Sequence, residues 1–274
     1  MISCKTQVGV TGVLVVFFSL DLSVNKPRGV SWKNVNILMT TVIKTNLWNS
    51  PEGEQIFKNF CTNSKRKSFG ILEKPSISAH YEEVSYKLFF IGKPGVGKSK
   101  TVAELAGNSA PHHDSHGIHK TNIYWPTKIW DKVILFRLQC WEAGESGLKK
   151  FSHILPACLD KTDALVFIFS FEDITSLYEV SQNISKMKGN EPNQPAIIVI
   201  GTKYSSSNTG ISFSEIKEFE TKWQLNILKL SNSSSTQPDL SRAGPILNSI
   251  CEQLWIRDQE YILKQSFDKF VLKE

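Results

Sequence analysis

Eight residues, Gly92-Lys93-Pro94-Gly95-Val96-Gly97-Lys98-Ser99, follow directly on the apolar run Leu88-Phe89-Phe90-Ile91 and lead into a stretch, Ser99 to Leu105, of helical character. The spacing G-x-x-x-x-G-K-S, in the order strand, glycine loop, helix, is the arrangement that cradles a di- or triphosphate. Glycine matters there because consecutive backbone N–H groups must turn inward around an anion, through conformations that side chains resist. Lys98 would place a point charge on the β and γ oxygens, and the Ser99 hydroxyl would ligate Mg²⁺. The helix that begins here, with Lys100 in its first turn, would aim its positive dipole end at the same anion.

The bulk composition excludes several alternatives. At 274 residues, with 41% hydrophobic and 21% charged residues, the chain suits one ordinary soluble domain plus extensions. Its net charge of +6 is spread out, with Lys65-Arg66-Lys67 and Lys149-Lys150 as the only short basic runs, so a nucleic-acid partner is not expected. Five cysteines, Cys4, Cys61, Cys140, Cys158 and Cys251, are odd in number and widely spaced, which suits reduced thiols in a cytosolic protein. His112, His113, His116 and His119 cluster, but Asp114 is the only carboxylate beside them and no thiol is near, so a metal site there is not expected. The apolar run Val13–Phe18 resembles a signal-peptide core. Only Lys5 precedes it, Asp21 follows closely, and it is too short to span a bilayer.

The pattern divides the chain into an extension (1–47), a lead-in segment (48–84), a main domain (85–266) and a tail (267–274). The lead-in predicts a helix over Glu54–Phe60, an apolar turn over Phe69–Leu72 and a break at Pro75. From Ser85 onward, short apolar runs alternate with amphipathic stretches. Strands are expected over Tyr86–Ile91, Thr121–Trp125, Val133–Trp141, Ala164–Phe169, Ala196–Ile200 and Asn226–Leu230. Helices are expected over Lys98–Ala106, Ile174–Met187, Ser214–Trp223 (capped by Ser212 or Ser214) and Ile246–Leu263. The second and third strands are joined by a short link and should pair antiparallel. Ala164–Phe169 is apolar throughout, as a central parallel strand covered on both faces must be. Leu247, Ile250 and Leu254 form the stripe that packs the last helix on the sheet. The outcome is an open α/β sheet with its ligand at the carboxyl ends of the strands.

This order of elements resembles the Ras-like small GTPases, whose P-loop fold has a six-stranded, mostly parallel sheet with one antiparallel strand and helices on both faces. Ser85-Tyr86-Lys87, the Gly92–Ser99 loop, Trp141-Glu142-Ala143-Gly144-Glu145-Ser146 with Leu148-Lys149-Lys150-Phe151 behind it, and Glu252-Gln253-Leu254-Trp255 resemble one divergent branch more narrowly. That branch is the Rab-like small GTPases of the ciliogenesis and planar cell polarity effector (CPLANE) complex, and the resemblance covers about residues 48–262. It implies GTP/GDP and Mg²⁺ as cofactors, with Gly92, Pro94, Gly95, Val96, Gly97, Lys98, Ser99 and Lys100 around the phosphates. Ser99 and Ser115 would face the metal. Thr202, Lys203, Ser205 and Ser231 would lie on the base side, and Glu145 would stand in the catalytic position.

Each motif departs from the family pattern. Pro94 has a fixed φ and no N–H, where the loop position is usually small and flexible. Trp141 stands where the second switch carries a magnesium-linked aspartate, with Glu142 one place late. Glu145 replaces the glutamine that orients attacking water, and a carboxylate facing the γ-phosphate is a poor water-positioner. The guanine-reading N-K-x-D becomes Thr202-Lys203-Tyr204-Ser205. A serine cannot accept two guanine N–H bonds as a carboxylate does, and each lost charge-assisted bond costs about 1.5–3 kcal/mol. No cysteine stands near Glu274, so no prenyl anchor is expected and membrane contact would come only through partners.

The reading that follows is a GTP-binding switch or scaffold with slow or absent hydrolysis. The resemblance implies the Fuzzy and Inturned proteins as partners. It also implies a place in the cytoplasm at the ciliary basal body, and a task in cilium assembly and targeted membrane trafficking. The alternative is a nucleotide-poor adaptor that keeps only the partner surface. A P-loop kinase or ATPase would need a second substrate pocket with an acidic or arginine-bearing lid, and the sequence offers none.

Overall fold

The computed structural model describes residues 4–8, 14–18, 47, 50–62, 81–108, 117–129, 132–143, 155–187, 194–205, 210–231 and 240–271. The chain divides into two units, Met1–Val42 and Ile43–Glu274. In the first, β1 (Cys4–Val8) and β2 (Leu14–Phe18) form an antiparallel pair with Cys4 opposite Phe18 and Val8 opposite Leu14. The sequence suggested no strand here. The run Leu14-Val15-Val16-Phe17-Phe18 is nonetheless rich in the β-branched and aromatic residues that strands favour.

The second unit holds a six-stranded sheet in the order β4-β5-β3-β6-β7-β8. Its elements are α1 (Pro51–Thr62), β3 (Glu82–Ile91), α2 (Lys98–Ala106), β4 (Ile118–Ile129), β5 (Lys132–Ala143) and α3 (Leu155–Leu159). There follow β6 (Ala164–Ser170), α4 (Ile174–Met187), β7 (Ala196–Tyr204), α5 (Phe213–Trp223), β8 (Ile227–Ser231) and α6 (Leu240–Val271). Only the β4–β5 pair is antiparallel. The α/β architecture, the single antiparallel strand and the bounds of α2 and α4 agree with expectation. Among the described residues no helix is long and apolar enough to cross a membrane.

Every residue of β6 is buried, because helices cover both faces of the sheet. On one face Phe89, Leu165, Phe167, Phe169 and Val199 meet Leu177, Val180 and Ile184 of α4 and Ile216 and Phe219 of α5. On the other, Val102 and Leu105 of α2 and the stripe Leu247, Ile250 and Leu254 of α6 are fully or almost fully buried. A smaller cluster joins Ile56 of α1 to Tyr124 and Leu135, with Glu52 paired to Lys128 at 2.6 Å.

Several elements outrun their expected bounds. β4 continues through Pro126 to Ile129, which an edge strand tolerates because one side of its backbone has no ladder to maintain. α6 begins six residues before the expected Ile246, with Pro245 in its second turn, where a missing N–H removes a single helical bond. Ser212 is the cap of α5, in a reciprocal box with Glu215. At the amino ends of β6 and β7, Asp163 Oδ2 accepts from Lys87 N at 2.8 Å, its carbonyl accepts from Ala196 N at 2.8 Å, and Arg257 Nη2 reaches its Oδ1 at 3.1 Å. That clamp fastens β3, β6, β7 and α6 at one end of the sheet and leaves the carboxyl ends of the strands for a ligand.

Gly201 of β7 sits where a Cβ would come within 2.3 Å of Phe171 Cε2 and 2.8 Å of Phe169 Cζ. Gly201→Ala is therefore expected to destabilise by about 1–3 kcal/mol through overpacking. A lower urea midpoint with an unchanged m-value would record it.

Candidate functional site

The loop between β3 and α2 has the backbone of an anion cradle. Gly95 and Gly97 take φ of 77° and 96°, in the left-handed region. Gly92 packs so closely on β6 that a Cβ would lie 2.3 Å from the Ile168 carbonyl oxygen, which explains glycine at the first position of the motif. Gly97 caps α2 and makes no side-chain cap bond to its first N–H groups, so the helix dipole end faces the loop. Lys98 curls over the loop, donating to Gly92 O at 2.7 Å and Lys93 O at 3.1 Å. Val96 is buried, Pro94 and Gly95 are exposed, and Lys100 points outward from the first turn of α2.

The base-side motif joins the loop through one hydroxyl. Thr202 Oγ1, buried at the end of β7, lies 2.6 Å from Val96 O and 3.0 Å from Phe169 O, sharing its proton between the two carbonyls. The next residue, Lys203, has a φ of 55°, uncommon for a residue with a side chain, and its Nζ lies 3.2 Å from Glu172 Oε2. Tyr204 stacks edge-on against Phe171 at 5.0 Å and lies under Lys229 Nζ at 5.1 Å. Ser205 follows the strand, half-buried, and Ser231 ends β8 opposite Tyr204. Thr202, Lys203 and Ser205 thus share the carboxyl end of the sheet with Gly92–Ser99.

The magnesium side is poorer. Glu145 and Ser115 lie outside the described residues. Trp141, half-buried on β5, carries two ammonium groups against its ring, Lys87 Nζ at 4.8 Å and Lys120 Nζ at 5.2 Å. Its indole nitrogen is buried and has no hydrogen-bond partner among the described residues, and Oε2 of the buried Glu142 is in the same state. The two project to opposite faces because they are consecutive in a strand. Among the described residues no three metal-ligating side chains converge. The phosphate cradle therefore fits a nucleotide, whereas the described metal donors reduce to the Ser99 hydroxyl.

The corner after β6 was not anticipated. Asp173 Oδ2 accepts from Lys93 Nζ at 2.9 Å, and Oδ1 accepts from the Thr175 hydroxyl at 2.6 Å. The Thr175 hydroxyl, and then Lys93, hold the Asp173 carboxyl down at about 2. The available signal was an acidic pair directly after a fully apolar strand, at the ligand end of the sheet.

A glycine loop between a parallel strand and an uncapped helix, beside a buried hydroxyl from the fourth parallel strand, defines a P-loop α/β domain. A Ras-family sequence profile matches residues 87–240. A ciliogenesis and planar polarity effector 2 of Xenopus tropicalis is 37% identical over 227 residues, 77% of this chain and 89% of its own length. The protein of that name from Homo sapiens is 34% identical over 236 residues, covering 80% of this chain and 91% of its own. A GTP-binding protein REM 2 of Rattus norvegicus matches a shorter stretch, 25% over 122 residues, or 43% of this chain and 34% of its own length. The chain belongs to the Ras family and, within it, to the family of the ciliogenesis and planar polarity effector 2 proteins.

Thr202→Val keeps the shape of the side chain and removes the proton that joins Val96 O to Phe169 O. The expected cost is about 1–3 kcal/mol for carbonyls left buried without it. Urea unfolding measures the loss, and faster hydrogen exchange at the Gly95–Ser99 amides locates it in the loop.

Proposed function

We propose that the protein is a guanine-nucleotide-binding subunit of a ciliogenesis effector assembly, acting as a switch or scaffold with slow or absent hydrolysis. The observation that carries this reading is the cradle itself: two glycines at positive φ, a helix whose Gly97 cap makes no side-chain bond to its first N–H groups, and Lys98 held over the loop by two of its carbonyls. In this role Gly95–Ser99 donate backbone N–H groups to the phosphates, Lys98 places its charge on the β/γ oxygens, and Lys203 and Ser205 meet the base. Mg²⁺, when bound, neutralises phosphate charge. Ser99 is the described residue that would hold it, and the phosphate oxygens would supply much of the remaining shell.

Fuzzy- and Inturned-type subunits are the proposed partners, and the ciliary basal body the proposed place of action. The family of the relatives supports this reading, since five of them carry ciliogenesis and planar polarity in their names. A second reading, a nucleotide-poor adaptor, is favoured by Trp141, whose ring is engaged by two lysines where the family uses an acid toward the metal.

Two measurements separate the readings. Protein purified without added nucleotide, then denatured, is expected to release GTP or GDP in near-stoichiometric amount. Release of none, together with no detectable GTP binding, establishes the adaptor. Ser205→Asp restores two charge-assisted acceptors and is expected to tighten GTP at least tenfold, with little effect on ATP, by titration calorimetry. Unchanged GTP affinity in that variant contradicts the account of the base site.

A further inference from the structure

The chain turns from β6 into α4 through Phe171-Glu172-Asp173, and its two consecutive carboxylates hold one lysine from the glycine loop and one from the end of β7. Lys93, the second residue of the glycine loop, reaches Asp173 Oδ2 at 2.9 Å and Thr175 Oγ1 at 2.7 Å. Lys203, from the base-side motif, lies 3.2 Å from Glu172 Oε2. The corner that offers these acids is itself held fast. Phe171 N donates to Thr202 O at 3.0 Å, and the Phe171 ring lies 5.0 Å from both Phe169 and Tyr204. Asp173 N donates to Ser170 O at 3.0 Å, and Ser176 Oγ accepts from Ser170 N at 3.0 Å. The acids are thus mounted on the end of a fully buried strand, while the lysines they hold belong to the segments that must meet a ligand.

We infer that the Glu172–Asp173 corner positions the two halves of the nucleotide site, Asp173 setting the phosphate loop through Lys93 and Glu172 setting the base side through Lys203. The inference rests on the nucleotide-binding reading and deepens it. Its physical basis is where the loop is tied. Lys98 donates to Gly92 O and Lys93 O. Those ties are internal to the loop, whereas Lys93, through Asp173, anchors it outward to the turn after β6. Lys203 needs an anchor for another reason: its φ of 55° is a conformation that a residue with a side chain leaves readily unless its surroundings fix it. Both acids act through lysines and neither needs to touch the nucleotide. They are positioning residues, and the two should fail in different ways.

The test uses the full chain in five variants: Asp173→Asn, Lys93→Met, these two combined, Glu172→Gln, and the charge swap Lys93→Asp with Asp173→Lys. Hydrogen exchange at the Gly95–Ser99 amides is read without nucleotide, and dissociation rates are read for fluorescent GTP, GDP and ATP. Asp173→Asn and Lys93→Met are each expected to speed release of all three nucleotides by about three- to fivefold, the scale of a partly exposed ion pair. Combining them adds little, the GTP-to-ATP ratio stays at the parental value, and the charge swap returns the rates toward parental. Loop amides exchange faster by a similar factor in the two single variants and are restored in the swap. Glu172→Gln instead lowers the GTP-to-ATP ratio and leaves loop exchange unchanged.

Parental rates and parental exchange in Asp173→Asn overturn the assignment, as does a swap that fails to restore either. The assignment is also wrong if Glu172→Gln and Asp173→Asn give one and the same profile. A parent chain that binds no nucleotide sinks the function proposed above. The exchange measurements then decide the Lys93–Asp173 anchor alone.

Discussion

One buried hydroxyl governs the ligand end of this molecule. Thr202 Oγ1 touches the carbonyls of Val96 and Phe169, so a single proton connects the glycine loop, the most deeply buried strand and the base-side motif. The rest of the site depends on that junction. It ties the loop next to its tip, where Pro94 and Gly95 are exposed and Gly95 offers no side chain. The family usually places an asparagine here, and threonine retains a donor in a smaller volume. The Ile168 carbonyl completes the arrangement by allowing only glycine at position 92.

Much of the fold was legible because its signals are local. The octamer marked the β3–loop–α2 unit, the unbroken apolar run marked β6, and the serines at 212 and 214 marked the start of α5, where the structure chooses Ser212. What escaped notice depends on partners distant in sequence. Nothing near Lys93 indicates that its ammonium will meet Asp173, eighty residues later. β4 and α6 also run past their expected bounds, each through a proline, Pro126 and Pro245. Position in the sheet or helix decides whether its missing N–H matters, and position is a property of the assembled fold. The site followed the same division. Its phosphate half was visible as glycine spacing, whereas its anchoring corner was two ordinary acids.

Trp141 and Glu142 make the family membership and the chemistry diverge. A tryptophan engaged by two lysines contributes apolar surface and cation–π attraction where its relatives' superfamily relies on a carboxylate toward a metal. The neighbouring carboxylate is buried on the other face of the strand, one oxygen having no partner among the described residues. A fold can persist through such exchanges because its core is built from Phe89, Phe167, Phe169 and the helices around them, none of which depends on the pocket.

The two margins of the sheet are closed off by different means. β8 is only five residues long, and β4, at the opposite margin, has Pro126 within its row. A bare sheet margin is a template on which further strands, from any chain, add by main-chain pairing alone. A short strand offers too few rungs, and a proline removes one rung from a long strand. Main-chain pairing between copies of this chain is therefore disfavoured at both margins, and contact with other chains is left to side chains, whose chemistry can discriminate.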